Sequence, residues 1–289
     1  MNLRLSLLFL GAASFAGCSA TSAPGFDTPE SALHDPAADV YLVSNLNGAP
    51  LAKDDNGYIA RVQPDGAMQR HWIQGGKNGV TLHAPKGMAL VGDVLWVADI
   101  DVVRKFDRTS GAPLGEVAIA GSTFLNDVSV GPDGSVYCTD MGLDAAFEAS
   151  GTDAIWRITP DGSLRALAQG QDLGQPNGLV ARERGVYVVS WRDGTFYQVD
   201  YDGRRTDLGR APQPQLDGLV RYTRSGNGGA AEWLTTSWAG KCVYRFDTSG
   251  ACSTLPQRFE QPADCGLDER RGLLLIPLFG ENRLERLPL

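Results

Sequence analysis

Short apolar runs separated by polar turns recur along this chain, and no stretch sustains the 3.6-residue period of an amphipathic helix. One run opens with Pro or Leu, then a polar residue, then a strand-like segment. It reads PESALHD from Pro29, PKGMALV from Pro85, LNDVSVG from Leu125, PNGLVAR from Pro176, LDGLVRY from Leu216 and PADCGLD from Pro262. About ten residues later comes a second run: VYLVSN, LWVAD, VYCTD, VYVVSW, EWLTTSW and LLLIPLF. A third follows as YIARVQPDG, VVRKFDRTSG, IWRITPDG, TFYQVDYDG, VYRFDTSG and RLERLPL. Five of these third runs lead into a Gly-terminated turn rich in Asp, Pro or Ser, which predicts a tight hairpin into a fourth strand.

The polar entrance residues Glu30, Lys86, Asn126, Asn177 and Asp217 are spaced by 56, 40, 51 and 40 residues, and the sixth copy enters at Ala263, 46 further on. Units of this length with four strands each predict an all-β, six-bladed β-propeller with four-stranded blades. Helical repeats would need a 3.6 period, and a β-helix would need shorter, more regular rungs. The text ends after the third strand of unit six. Residues 25–28 are therefore expected to supply the outer strand and close the ring, which would remove a free edge.

Ahead of the repeats, residues 1–17 read as a leader: Arg4 precedes an apolar run too short to span a bilayer. Phe15-Ala16-Gly17-Cys18 resembles a bacterial lipobox, which predicts lipidation at Cys18, export to the cell envelope or periplasm, and a tether over 18–28 before a propeller over 29–289. Plain secretion is the alternative if the lipobox is not used. Acidic residues outnumber basic ones, 34 to 26, and no basic block occurs, so nucleic acid is not an expected partner. Membrane attachment is expected only through the lipid anchor, and the protein is expected to be a monomer. Of the other cysteines, Cys138, Cys242, Cys252 and Cys265 lack zinc-site spacing. They read as small buried apolar residues, or as disulfide partners with Cys242 and Cys252, which flank one turn, as the first pair.

In a propeller the first strand of every blade lines the central channel. Glu30, Lys86, Asn126, Asn177 and Asp217 are thus expected to meet at one end of it. Two carboxylates and two side-chain amides form an oxygen-rich set of the kind a hard cation such as Ca²⁺ takes. The competing reading is a polar channel bridged by water, or side chains that satisfy turn backbone.

The repeat text, over essentially the whole chain from Pro29, resembles the superfamily of senescence marker protein (regucalcin), gluconolactonase and luciferin-regenerating enzyme, with paraoxonase as a relative. That resemblance implies a six-bladed propeller holding Ca²⁺ or another divalent cation in the channel. It assigns Glu30, Asn177 and Asp217 as metal ligands and Asn126 as a further amide at the metal or substrate. It also implies lactone hydrolysis: the cation polarises the ester carbonyl, and Asp217 serves as catalytic base toward water. Two positions depart from the family. Phe124 stands where sugar-lactonase members carry an Arg, and Lys86 stands where paraoxonase-type members carry a His. Lys86 reads as a structural ion pair with Glu30 or Asp99, or as a contact to an anionic substrate.

Loops after the second strands should open on the same face. They carry Asp99, Asp140, Trp191 and Trp238, which with Lys86 form the expected substrate-binding set; the two Trp residues read equally well as packing between blades. The segment 141–152 is expected to overhang the mouth as a flexible lip. The favoured function is a Ca²⁺-dependent lactonase or esterase acting on a small molecule. The alternative is a non-catalytic propeller that binds a ligand or an envelope protein and uses the cation structurally.

Overall fold

The computed structural model describes residues 25–223 and 231–289. The expected leader, the Cys18 lipidation site and most of the tether lie outside the described residues. Strands form six antiparallel sheets in which each strand pairs with the next in sequence. The sheets are the six blades of a β-propeller. Among the described residues helical structure is confined to two 3₁₀ turns, Gln171–Leu173 and Phe279–Glu281, and no helix is long and apolar enough to cross a membrane.

The inner strands are Pro29–Asp35, Pro85–Val91, Leu125–Val130, Pro176–Arg182, Leu216–Thr223 and Gly266–Asp268. Each hairpin turn shows the chemistry its letters predict. In Gly-Pro-Asp-Gly, Gly131 N–H donates to the Ser135 carbonyl and Asp133 Oδ1 accepts from Ser135 N–H, while Gly134 sits at φ 78°. No β-carbon has to enter the left-handed region there.

Packing is between blades more than within them. Val40 and Leu42 of blade one meet Leu95, Val97 and Phe106 of blade two. Equivalent clusters join blades two and three, three and four, four and five, and five and six. A sixth cluster joins Ala32, Tyr41 and Val43 to Leu275 and Leu284, closing the ring between blades six and one. Truncating a residue in such a seam, for example Phe196, removes contacts on two blades at once and would cost about 3–5 kcal/mol.

The closing strand departs from expectation. Among the described residues blade six has three strands, and residues 25–28 form none. Gly25 and Phe26 N–H both donate to the single Asn282 carbonyl, and Phe26 is buried in the closing cluster, so side-chain burial replaces the strand ladder. The sixth inner strand is also shorter than its letters suggest. Asp264 donates its N–H to the Glu30 carbonyl, and its own carbonyl accepts from Ala32 N–H, so this backbone pairs across to blade one.

Candidate functional site

A register shift marks the start of the inner strand in each of the first five blades, between Pro29 and Ser31, Pro85 and Met88, Leu125 and Val128, Pro176 and Leu179, and Leu216 and Leu219. Such bulges bend the strand and re-aim a side chain. Here they turn the entrance residues to the axis. The residue that follows must then be small where strands crowd: a β-carbon on Gly178 would lie 2.3 Å from the Asp217 carbonyl oxygen, and one on Gly218 would lie 2.1 Å from Cys265 N. The Asn-Gly and Asp-Gly pairs are thus one device, a polar group for the axis and a gap for the neighbouring strand.

Glu30, Asn126, Asn177 and Asp217 are all buried and all line one cavity. Glu30 Oε2, Asn126 Oδ1, Asn177 Oδ1 and Asp217 Oδ1 each lack a hydrogen-bond partner. Burying one such group without a partner is costly, and four at one place call for a ligand. The other atoms of two of these groups are held. Asn126 Nδ2 donates to Met141 Sδ at 2.7 Å, and Trp238 Nε1 donates to Asp217 Oδ2 at 2.7 Å. Both contacts leave an oxygen free. Among the described residues no three His, Cys, Asp or Glu side chains form a metal-ligand group, so the set depends on its two amides. Neutral amide and carboxylate oxygens suit a hard divalent cation. The residues present fit Ca²⁺.

Electrostatics agree. Burial, then the Asp217 and Asp264 carboxylates, push Glu30 well above the usual carboxylate range. Burial and Asp264 do the same to Asp217, against the pull of the Trp238 hydrogen bond. Carboxylates so placed are stabilised as anions by an added positive charge.

The structure sorts the remaining expected residues. Lys86 lines the cavity, but it forms no ion pair with Glu30 or Asp99. Its Nζ donates to the Pro50 and Ala84 carbonyls, each at 2.9 Å, and lies 4.9 Å from the centre of the Phe124 ring. Burial lowers its pKa, opposed by the field of Glu30. Asp99 and Asp140 are not brought to the cavity. Asp99 accepts from His83 N–H, Ala84 N–H and Arg104 Nε, and Asp140 accepts from Thr123, Phe124 and Gly142 N–H. Each closes the loop leading to its own inner strand. Trp191 and Trp238 do reach the cavity, and they also pack edge to face at 5.4 Å. The four cysteines are free thiols, with Cys242 and Cys252 packed in one apolar cluster without a bond.

Asp264 was not anticipated. It sits one residue past the sixth entrance, in the same place as Asp127 in blade three, and accepts from Ser31 Oγ at 2.5 Å. The letters PAD against LND carry that signal at the position one past the entrance. Asp127 is occupied by Val128 and Leu179 N–H. Both carboxylates border a larger cavity of about 480 Å³ at the other end of the channel, which holds none of the unpartnered oxygens.

The segment 141–152 lies at the mouth as expected and folds there into a hydrogen-bonded turn. Leu143 bridges Ala149, and the Thr123, Ser150 and Thr152 hydroxyls bond one another at 2.8 to 3.0 Å.

Residues 54–267 match the SMP-30/Gluconolactonase/LRE-like region. The chain belongs to that family. A virginiamycin B lyase from Nocardia farcinica (strain IFM 10152) is 25% identical over 193 residues, 66% of this chain and 61% of that protein, so the chain spans about three-fifths of the length of that curated relative. Among solved structures, a gluconolactonase from Xanthomonas campestris superposes with a TM-score of 0.70 at 21% identity, covering 93% of this chain and 88% of the other. A catalytically inactive virginiamycin B lyase from Staphylococcus aureus with quinupristin gives 0.62 at 14% identity over 94% and 98%. An auxiliary nutrient binding protein from Bacteroides thetaiotaomicron gives 0.68 at 11% identity over 91% and 69%. At these identities the superpositions establish the family's fold.

Proposed function

We propose that this propeller is a divalent-cation-dependent lactone hydrolase, with Ca²⁺ held by Glu30, Asn126, Asn177 and Asp217. One observation carries the reading: four buried side-chain oxygens without partners, one from each of four blades, meet beneath a cavity open to the mouth. Family membership supports the lactonase class.

When bound, the cation supplies Lewis acidity to the ester carbonyl and to the oxyanion that forms on attack. The chain's own groups do the rest. Asp217 orients the attacking water and takes its proton. Trp238 holds the carboxylate in one rotamer through its indole N–H. Lys86 Nζ is held on the Pro50 and Ala84 carbonyls and occupies no oxygen of the set. The apolar wall keeps bulk water away from the ester.

The test is turnover of a panel of lactones and aryl esters in water enriched in ¹⁸O, before and after EDTA treatment. Hydrolysis places one heavy oxygen in the product acid and stops on chelation. A product formed by elimination, with no heavy oxygen, would overturn the hydrolase reading in favour of lyase chemistry. No turnover with the cation bound would favour a binding module.

A further inference from the structure

Above the four oxygens the cavity changes character. Its polar residues, Glu30, Lys86, Asn126, Asn177 and Asp217, are the same ones that form the floor. The walls are apolar and mostly aromatic, with Phe124, Trp191, Trp238 and Phe279 beside Leu46 and Met141. Leu143 and Phe147 reach over from the segment 141–152. Few polar groups in the wall are free to serve a ligand: the Trp238 indole N–H is on Asp217, and Lys86 Nζ gives two of its three N–H groups to backbone carbonyls. The hydroxyls of Thr123, Ser150 and Thr152 bond one another and do not line the space.

From this we infer that the substrate is a small apolar lactone of one ring, carbonyl down on the oxygen set and ring carbons against the aromatic wall, and that polyhydroxylated sugar lactones are rejected. The inference rests on the lactonase reading and narrows it. Size sets one bound. The cavity is about 170 Å³, and an apolar cavity of about 150 Å³ accepts benzene. A five- or six-membered lactone with a short alkyl group fits; a longer chain would have to leave through the mouth.

Solvation sets the other bound. Each ring hydroxyl carried against this wall without a partner costs roughly tenfold in affinity. Each added methylene gains about three- to fourfold. A trihydroxylated ring is therefore disfavoured by about a hundredfold or more against its deoxygenated counterpart. Phe147 has a special place in this account. It is 56% exposed, meets Phe124 edge to face at 6.2 Å, and overhangs the space a substituent would enter. A ligand's alkyl group would cover it.

The experiment uses Ca²⁺-loaded protein and two readouts. The first is kcat/KM for δ-valerolactone, δ-heptalactone and glucono-δ-lactone. The second is tryptophan fluorescence titration with two non-hydrolysable counterparts, 6-ethyl-δ-valerolactam and gluconolactam. We expect δ-heptalactone to exceed glucono-δ-lactone by about 100-fold in kcat/KM, with the lactams in the same order of affinity. Phe147→Ala, at an exposed site that leaves the core untouched, should raise KM for δ-heptalactone about fivefold and for δ-valerolactone less than twofold. Tight binding of the apolar lactam without turnover of any lactone would uphold the cavity's preference for an apolar ring and overturn the hydrolase reading on which the substrate assignment rests. Equal or better binding of gluconolactam, or binding of neither lactam, would overturn the inference itself.

Discussion

The two ends of the same inner strands treat buried carboxylates in opposite ways. Glu30 opens the first strand and Asp35 ends it. At the far end, burial would raise Asp35, but bidentate contact with Arg108 and the Ala38 and Ala37 N–H groups outweigh it and hold the carboxyl below its usual range. Asp268 of blade six is likewise held low, against burial, by Arg271 and Tyr41. At the mouth end no guanidinium bonds Glu30 or Asp217, and both are driven up. Charge that the protein itself neutralises ties blades together. Charge left unneutralised, beside two amides with free oxygens, reads as a place kept for something else.

That contrast breaks most sharply in catalysis. Asp217→Asn should lower kcat/KM by roughly a thousandfold with an unchanged far-ultraviolet spectrum, while Asp35→Asn should leave it within about twofold. Stability should show the reverse. Asp35→Ala strands the Arg108 guanidinium and should cost about 3 kcal/mol in urea unfolding, whereas Glu30→Gln in EDTA-treated protein should leave the midpoint unchanged or higher. Equal losses at both ends would erase the distinction.

Dependence on pH should differ too. Burial raises Asp264 to about 7 in spite of its Ser31 hydrogen bond. With Glu30 and Asp217 also raised, the folded cation-free protein holds protons that the unfolded chain releases above about pH 4. Its stability should therefore fall as pH rises from about 4 to about 7, and added Ca²⁺ should restore it at pH 7. Asp35 and Asp268 have depressed values, so their contribution is present above about pH 4 and is lost as pH falls below that. Thermal melts across this range, with and without Ca²⁺, would show a flat metal-free profile if these three carboxylates were already paired. The smallest effect is expected from Trp238→Phe, which removes one hydrogen bond to Asp217 and should lower kcat about tenfold while leaving the fold intact.

Most of the fold was legible because the blade text repeats: an entrance polar residue, an apolar run and a Gly turn each encode a local conformation. The cage was legible for the same reason, since residues at one repeat position share one place on the axis. What the repeat does not encode is which partner a side chain takes. Asp99 and Asp140 close a second strand, and only their loop amides show that they serve backbone. Asp264 hid one residue past the entrance of the sixth copy. Lys86 was expected to pair with a carboxylate, but carbonyls from a loop 36 residues upstream and from Ala84 meet it first. The closing strand failed because Phe26 secures the seam by burial, a contact between distant ends of the chain that no local pattern announces.

Isothermal titration of EDTA-treated protein with Ca²⁺ at pH 7 tests the cage most directly. A single site should be seen in the wild-type protein and in Asp35→Asn, and be lost in both Asn177→Ala and Asp217→Ala. Wild-type affinity retained in those two channel variants would contradict the account.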